Sequence, residues 1–315
     1  MSAKRPRVAR LLRGFAGEGI DALLVSAWPN VTYLSGFKGS ESWLVVSPKA
    51  LYFITDSRYA EQAASEARGF RLVLRDKKNV VDILADLAKA AGFKKLGFES
   101  SAVSHAFYAR LERTLGADRL VPTDGMVEKL REIKDREEIR LIRKSVGIAV
   151  QGFHYIREIV RPGMSEREAQ GRLEHYTKSL GSEKPAFDII IATGPRSSMP
   201  HCRTDETPIM DHQPVLVDMG VVYGGYHSDL TRPVFLGRMS PLHRKIHRIV
   251  RQAQLEGIKT ARPGVPAREV DAACRRVIER CPARPRPCSG PEWSLPWSPG
   301  FISPENLECG LKTCF

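Results

Sequence analysis

Residues 215–233 read VLVDMGVVYGGYHSDLTRP, two valine-rich and aromatic runs on either side of Gly224-Gly225. Such runs around a glycine pair signal a β-hairpin, because the type I′ two-residue loop needs positive φ at both central residues. With Gly224-Gly225 as the loop, counting outward sets Asp218 opposite Thr231. Side chains alternate along a strand, so Asp229 shares the face of Thr231 and of Asp218. The two carboxylates become diagonal neighbours with Cα atoms ~7–8 Å apart. Two like charges on one inward face are costly unless a cation lies between them. Oxygen ligands at this spacing could share two divalent ions ~3.5–4 Å apart. A pair of ordinary solvated hairpin aspartates fits the same spacing, and spacing alone leaves both readings open.

Four histidines bear on this hairpin. His227 falls on the nominal face of Asp229 and could line the same site. His201 follows Met199-Pro200 in a loop rich in Ser, Pro and Gly, where a lone histidine is usually just solvated. His243 and His247 have the i, i+4 spacing of a helical metal pair. Their neighbours Arg244, Lys245 and Arg248 disfavour a cation, so they read as surface.

Upstream of the hairpin the pattern is helical. A long helix is expected over about 135–160, with Asp135-Arg-Glu-Glu supplying acidic residues for its first turn. A second follows at about 166–180, capped by Ser165 and closed by Gly181. Strands are expected at 187–192, 214–222 and 226–235. Downstream, Ser240-Pro241 starts a helix running to about 260, and another covers about 267–279. Residues 161–168 read RPGMSERE and residues 262–269 read RPGVPARE, 101 positions later; each joins a long helix to a shorter one. Five identities in eight, in matching context, indicate an internal duplication. The first copy precedes strands; the second precedes a tail of different composition.

That tail, CPARPRPCSGPEWSLPWSPGFISPENLECGLKTCF, has neither a helical nor an alternating apolar period. It holds four of six cysteines (Cys281, Cys288, Cys309, Cys314) and seven of 21 prolines. Its cysteine spacings are not C-x-x-C, which argues against zinc. The other cysteines, Cys202 and Cys274, suggest a reducing, cytoplasmic setting.

The first 125 residues differ again. Strands at 22–26, 43–46, 51–54 and 95–98 alternate with helices at 59–67, 81–91 and 106–115, behind an amphipathic helix at 5–17. That order indicates an α/β domain. A length of 315 residues accommodates two domains, and 42% hydrophobic with 27% charged residues excludes a collagen or a disordered chain. No apolar run reaches the ~18 residues of a membrane span, and the basic N-terminus lacks the apolar core of a secretory signal. The net charge of +13 is spread along helical segments, which reads as solvated helix faces rather than a nucleic-acid surface.

Taken together, these stretches resemble the pita-bread-fold metallopeptidases, the family of Xaa-Pro aminopeptidase, Xaa-Pro dipeptidase (prolidase) and creatinase. DALLVSAWPNVTYLSGFKGS and ALYFITDSRYAEQA are similar to the creatinase-like N-terminal domain; KLREIKDREEIRLIRKS is similar to the entry helix of the catalytic domain. VDMGVVYGGYHSDLTRPV resembles the motif of the first two metal ligands, which implies that role for Asp218 and Asp229. SMPHCRT resembles the loop of the substrate-binding histidine, implying His201.

The resemblance implies an α/β creatinase-like domain over 1–127 and an α+β pita-bread domain over 128–280 that lacks its last strands. It further implies two divalent ions (manganese, cobalt or zinc), a peptide substrate with proline at the second position, and a homodimer. Family members hold their metals with five ligands; the third is a histidine in an HGxGH-like strand, and the last two are glutamates. No histidine follows Glu279, and Glu292, Glu305 and Glu308 do not stand in the family's glutamate motifs. Read from one base before the Glu292 codon, with permissible codons, Glu292–Phe315 can translate as GMVVTVEPGLYIPGKLGVRIEDMF. That string contains the family's VEPG and RIED motifs in order. An out-of-frame deletion is therefore expected to have produced the tail at 281–315. Peptidase activity is expected to be strongly impaired or absent. A catalytically dead binding module or a non-functional remnant is the alternative.

Overall fold

The computed structural model describes residues 5–76 and 78–280, and the chain divides into two compact units between Lys134 and Asp135. The expectations for 281–315 lie outside the described residues. No helix among those described is long and apolar enough to cross a membrane.

The first unit runs α1 (Arg5–Arg13), α2 (Phe15–Glu18), β1 (Ala22–Val25), α3 (Trp28–Ser35), β2 (Trp43–Val46), β3 (Leu51–Thr55), α4 (Ala60–Glu66), β4 (Arg71–Leu74), α5 (Val80–Ala91), β5 (Leu96–Glu99), α6 (His105–Leu115), β6 (Leu120–Thr123) and α7 (Glu128–Glu132). Its six strands form one mixed sheet in the order β4-β3-β2-β1-β5-β6. Every residue of β1 is buried, as a central strand covered on both faces requires. Alternation sends Ala22 and Leu24 into one apolar layer with Leu84, Phe98 and Leu111. Leu23 and Val25 enter the other, with Leu11, Leu34, Phe37 and Phe53. Helices α5 and α6 start where Asn79 and Ser104 accept from the backbone of Asp82 and Phe107.

Four elements here were not anticipated, the single-turn α7 among them. Helix α3 has the poor helix-forming sequence WPNVTYLS. It is held by tertiary contacts: the buried Glu99 carboxylate accepts from Ser26 N and Ala27 N at 2.7 Å each and from Asn30 Nδ2 at 2.7 Å. Strand β4 is an edge strand with Leu72 and Leu74 exposed, so it lacks a burial pattern. Strand β6, at the other edge, contains Pro122, which an edge tolerates.

The second unit opens with α8 (Arg136–Ile159), started by a capping box in which Asp135 and Glu138 each accept from the other's backbone N–H. Its buried stripe is Ile142, Ser145, Ile148, Ala149, Gly152 and Ile156. After α9 (Glu166–Ser179) come β7 (Lys184–Pro185), β8 (Ile190–Thr193), β9 (Pro214–Met219), β10 (Val221–Tyr223), β11 (Tyr226–His227) and β12 (Leu230–Phe235). Val215, Val217 and Met219 of β9 are buried in the core that includes Ile148, Ile156, Ala169 and Leu173 of α8 and α9. Gly152 lets α8 close on this layer, since a Cβ there would lie 2.8 Å from Thr177 and 2.9 Å from Met219.

The hairpin has the expected register, with Tyr223 opposite Tyr226 and Asp218 opposite Thr231. Gly224 and Gly225 both have positive φ, 61° and 81°. Each arm, expected as one strand over 214–222 or 226–235, is instead broken. The near half joins the sheet β12-β9-β8 and the tip joins β11-β10-β7. The break is a pinch at Gly220, where an added Cβ would stand 2.0 Å from the carbonyl oxygen of Ser228. Ser228 keeps the arms in register across it, donating its N–H to Val221 O while its hydroxyl accepts from Val221 N. The strand expected at 187–192 begins later, at Ile190, because Ala186 N bonds Gly220 O and the chain there crosses between the two sheets.

The duplicated turns share a geometry. Gly163 and Gly264 have φ of 87° and 85°, and Met164 N and Val265 N donate to Arg161 O and Arg262 O. Helices α10 (Pro241–Thr260) and α11 (Ala267–Glu279) follow the expected bounds and pack on one another. Val270 and Cys274, the counterparts of Ala169 and Leu173, are buried like them. Higher on the long helices the copies part. Ile148 and Ala149 are at most 1% exposed, whereas among the described residues Val250, the counterpart of Ala149, is 46% exposed.

Candidate functional site

Asp218 lies on the face of β9 opposite buried Val217 and Met219. It is half-buried, flanked by Thr231 on β12 and Ile190 on β8. Thr231 Oγ1 donates to Asp218 Oδ1 at 2.7 Å, which fixes the two side chains on one face. Burial raises the Asp218 carboxyl above its ordinary range, and the Thr231 hydrogen bond offsets part of the rise. Asp229, in the connection between β11 and β12, is exposed, with part of its carboxyl shielded by its neighbours. Its carboxyl is raised first by burial and then by the charge of Asp218. Asp229 therefore feels the charge of Asp218, as groups do when little water lies between them.

His227 pairs with Val222 in the tip ladder, beyond the pinch. It is exposed, and burial of its ring followed by the charge of Lys184 lowers its pKa, with Glu183 opposing. The aspartates do not figure among the groups that set its charge. His201 sits in an exposed turn after the short 3-10 segment Gly194–Ser198, and that segment packs against β8 and β9. The structure thus places the His201 loop beside the strand that carries Asp218, and His201 makes no hydrogen bond among the described residues. His243 and His247 are not brought to the site: the His243 ring packs 5.6 Å from Phe235, and His247 is exposed.

As donors, Asp218 and Asp229 are hard oxygens of the kind that hold divalent cations, and the half-buried Asp218 gains most from one. Among the described residues no group of three or more His, Cys, Asp or Glu side chains converges on a metal position. Two carboxylates do not complete a binuclear site.

The sequence reading missed Glu166 and Arg196. Glu166, at the start of α9, is fully buried and ion-paired with Arg196, with Arg196 Nε 3.2 Å from its Oε1. Burial works against the Arg196 charge, but the bonds to Glu166 outweigh it and the guanidinium pKa is raised. One signal was available: in the duplicated motif, Ala267 stands where Glu166 does.

Two family models match. The creatinase/prolidase N-terminal domain matches residues 7–133, and metallopeptidase family M24 matches residues 140–293. An uncharacterized peptidase of Bacillus subtilis, YqhT, is 37% identical over 268 residues, 85% of this chain and 76% of that protein. The chain belongs to the M24, pita-bread metallopeptidase family, with a creatinase-type N-terminal domain. It is also similar to an Xaa-Pro dipeptidase of Pyrococcus horikoshii, 30% identical over 88% of this chain and 78% of that one. Among solved structures, an Xaa-Pro dipeptidase from Bacillus anthracis superposes with a TM-score of 0.84 at 35% identity, covering 88% of this chain and 77% of that one. An X-Pro aminopeptidase from Thermotoga maritima superposes at 0.81 and 31% identity, covering 87% and 77%.

Proposed function

We propose that this chain is a peptidase of the Xaa-Pro type whose own turnover is strongly impaired. The observation that carries the reaction class is the Asp218–Asp229 pair: a half-buried carboxylate held by Thr231 on β12, and two residues before Thr231 a second carboxylate that feels its charge. In this reading they hold the first edge of a pair of divalent ions, manganese, cobalt or zinc. When bound, such ions supply a water acidic enough to attack an amide near neutral pH. Thr231 orients Asp218, and His201 contacts the substrate. A bond preceding proline is a tertiary amide with no N–H, so recognition rests on the carbonyl and the ring.

Impairment follows from the donor count: the family pattern asks for a histidine and two glutamates beyond the hairpin, and residues 280–315 contain no histidine. We read 1–127 as the creatinase-like domain, 128–280 as an incomplete catalytic domain and 281–315 as an out-of-frame tail. The protein acts in the cytoplasm, in keeping with free, buried Cys202 and Cys274, and pairs as a homodimer. The test is dialysis into Mn²⁺ followed by assay on Ala-Pro and Xaa-Pro-Xaa peptides. Hydrolysis far below ordinary enzyme turnover is expected; turnover in the ordinary range of ~1–10³ s⁻¹ overturns the impairment. The nucleotide sequence after the Glu279 codon tests the tail: VEPG and RIED must appear in another frame.

A further inference from the structure

The segment from Thr193 to Thr207 leaves β8, carries His201 near its middle and returns to α9. Both of its ends meet one side chain. Glu166 Oε1 accepts from Thr193 N at 2.8 Å, where the loop begins, and Glu166 Oε2 accepts from Asp205 N at 3.4 Å, where it ends. Arg196 Nε lies 3.2 and 3.3 Å from the two carboxylate oxygens. Arg196 Nη2 crosses the loop to donate to Arg203 O at 2.6 Å and to pair with Asp205 Oδ2 at 2.8 Å. Pro200, His201 and Cys202 therefore lie within a span closed by Arg196 on one side and Arg203 on the other. Backbone bonds from Glu166 N to Thr207 O and from Arg167 N to Asp205 O complete the attachment to α9.

A fully buried carboxylate is costly unless its oxygens are occupied by donors. Here those donors come from the two ends of the loop and from the arginine that bridges it. The turn preceding α9 does not itself need the carboxylate: the duplicated turn has the same geometry with Ala267 at the equivalent position. We propose that Glu166, acting through Arg196, is a positioning residue that locks the His201 loop against the strands beside Asp218. This deepens the functional reading above and rests on it for the role of His201.

Two buried thiols make the lock measurable. Cys202, 6% exposed, is next to His201 inside the loop; Cys274, 9% exposed, lies in α11 and reports general loosening. The full chain is treated with iodoacetamide under native conditions, and each cysteine's alkylation rate is read by peptide mass spectrometry. Glu166→Gln is expected to raise the Cys202 rate about tenfold or more and the Cys274 rate less than about twofold. Arg196→Met should do the same, and the double variant should exceed the larger single effect by less than about twofold, because the two act as one unit. The His201 imidazole resonance, assigned with His201→Ala, should shift in Glu166→Gln. Equal acceleration at both cysteines in both variants, or none at Cys202, overturns the proposal. If Glu166→Gln does not fold, Arg196→Met decides by the same criterion, since its side chain is already partly exposed. A wrong assignment of His201 shows separately, as unchanged binding of an Xaa-Pro peptide by His201→Ala, and leaves the thiol rates as they are.

Discussion

Gly220→Ala should be among the most damaging single-methyl additions available in the second unit. The new Cβ would stand 2.0 Å from Ser228 O, 3.0 Å from the carbonyl carbon and 2.9 Å from Phe187 Cε1. Even attractive carbon–oxygen contacts settle at about 3.3–3.6 Å, so the arms of the hairpin must part by roughly 1.3–1.6 Å. The obstacle is backbone, which cannot rotate aside as a side chain can. Overpacking alone costs about 1–3 kcal/mol. Parting the arms also strains the bonds from Ser228 N to Val221 O and from Val221 N to Ser228 Oγ, each contributing about 1 kcal/mol. A loss of about 3–4 kcal/mol is expected. At about 2–4 °C per kcal/mol for a domain of this size, the melting temperature should fall roughly 6–16 °C. Gly147→Ala is the control, because a Cβ there meets nothing within 4 Å and lies inside α8, where alanine gains up to about 1 kcal/mol. Urea unfolding followed by circular dichroism measures both. A loss below about 1 kcal/mol in Gly220→Ala would refute the pinch as a backbone contact.

The remaining predictions concern charge and capping. Because folding raises the Asp218 and Asp229 carboxyls, the folded state holds those protons more tightly than the unfolded chain. Their contribution is full below the ordinary carboxylate pKa and disappears as pH climbs through the raised values. Metal-free Asp218→Asn should therefore be more stable than the parent near pH 7, and the difference should vanish in acid; an equal difference at pH 3 and pH 7 contradicts this. Glu99→Ala removes the acceptor for Ser26 N, Ala27 N and Asn30 Nδ2 and should cost about 3 kcal/mol or more, read as loss of amide protection at Ser26 and Ala27 in hydrogen exchange. Asp135→Ala should cost about 1 kcal/mol by opening the capping box, with a matching drop in urea midpoint at unchanged slope.

Local signals carried the sequence reading a long way, and its misses share a cause. The Gly224-Gly225 pair set the hairpin register out to Asp218 and Thr231, because a two-residue loop leaves only one way to count. Ser240-Pro241 and the two Arg-Pro-Gly turns placed α10 and α11, because caps and stops act through adjacent residues. What escaped depends on partners distant in the chain. Helix α3 exists because Glu99, about 70 residues later, caps it. The strands break because Gly220 meets Ser228, a contact that alternation cannot express. Glu166 looked like an ordinary first-turn glutamate until Arg196 and Thr193 were seen to converge on it.

The twin Arg-Pro-Gly turns give the molecule an internal yardstick. Met164 and Val265 make the same amide bond in the same backbone shape, yet one lies beside a helix pair packed on strands and the other beside a pair whose long helix leaves Val250 in solvent. The difference in amide exchange between those two positions, recorded in a single tube, reads out what lateral support adds to an otherwise identical bend, free of the reference-state problems that trouble comparisons between separate proteins.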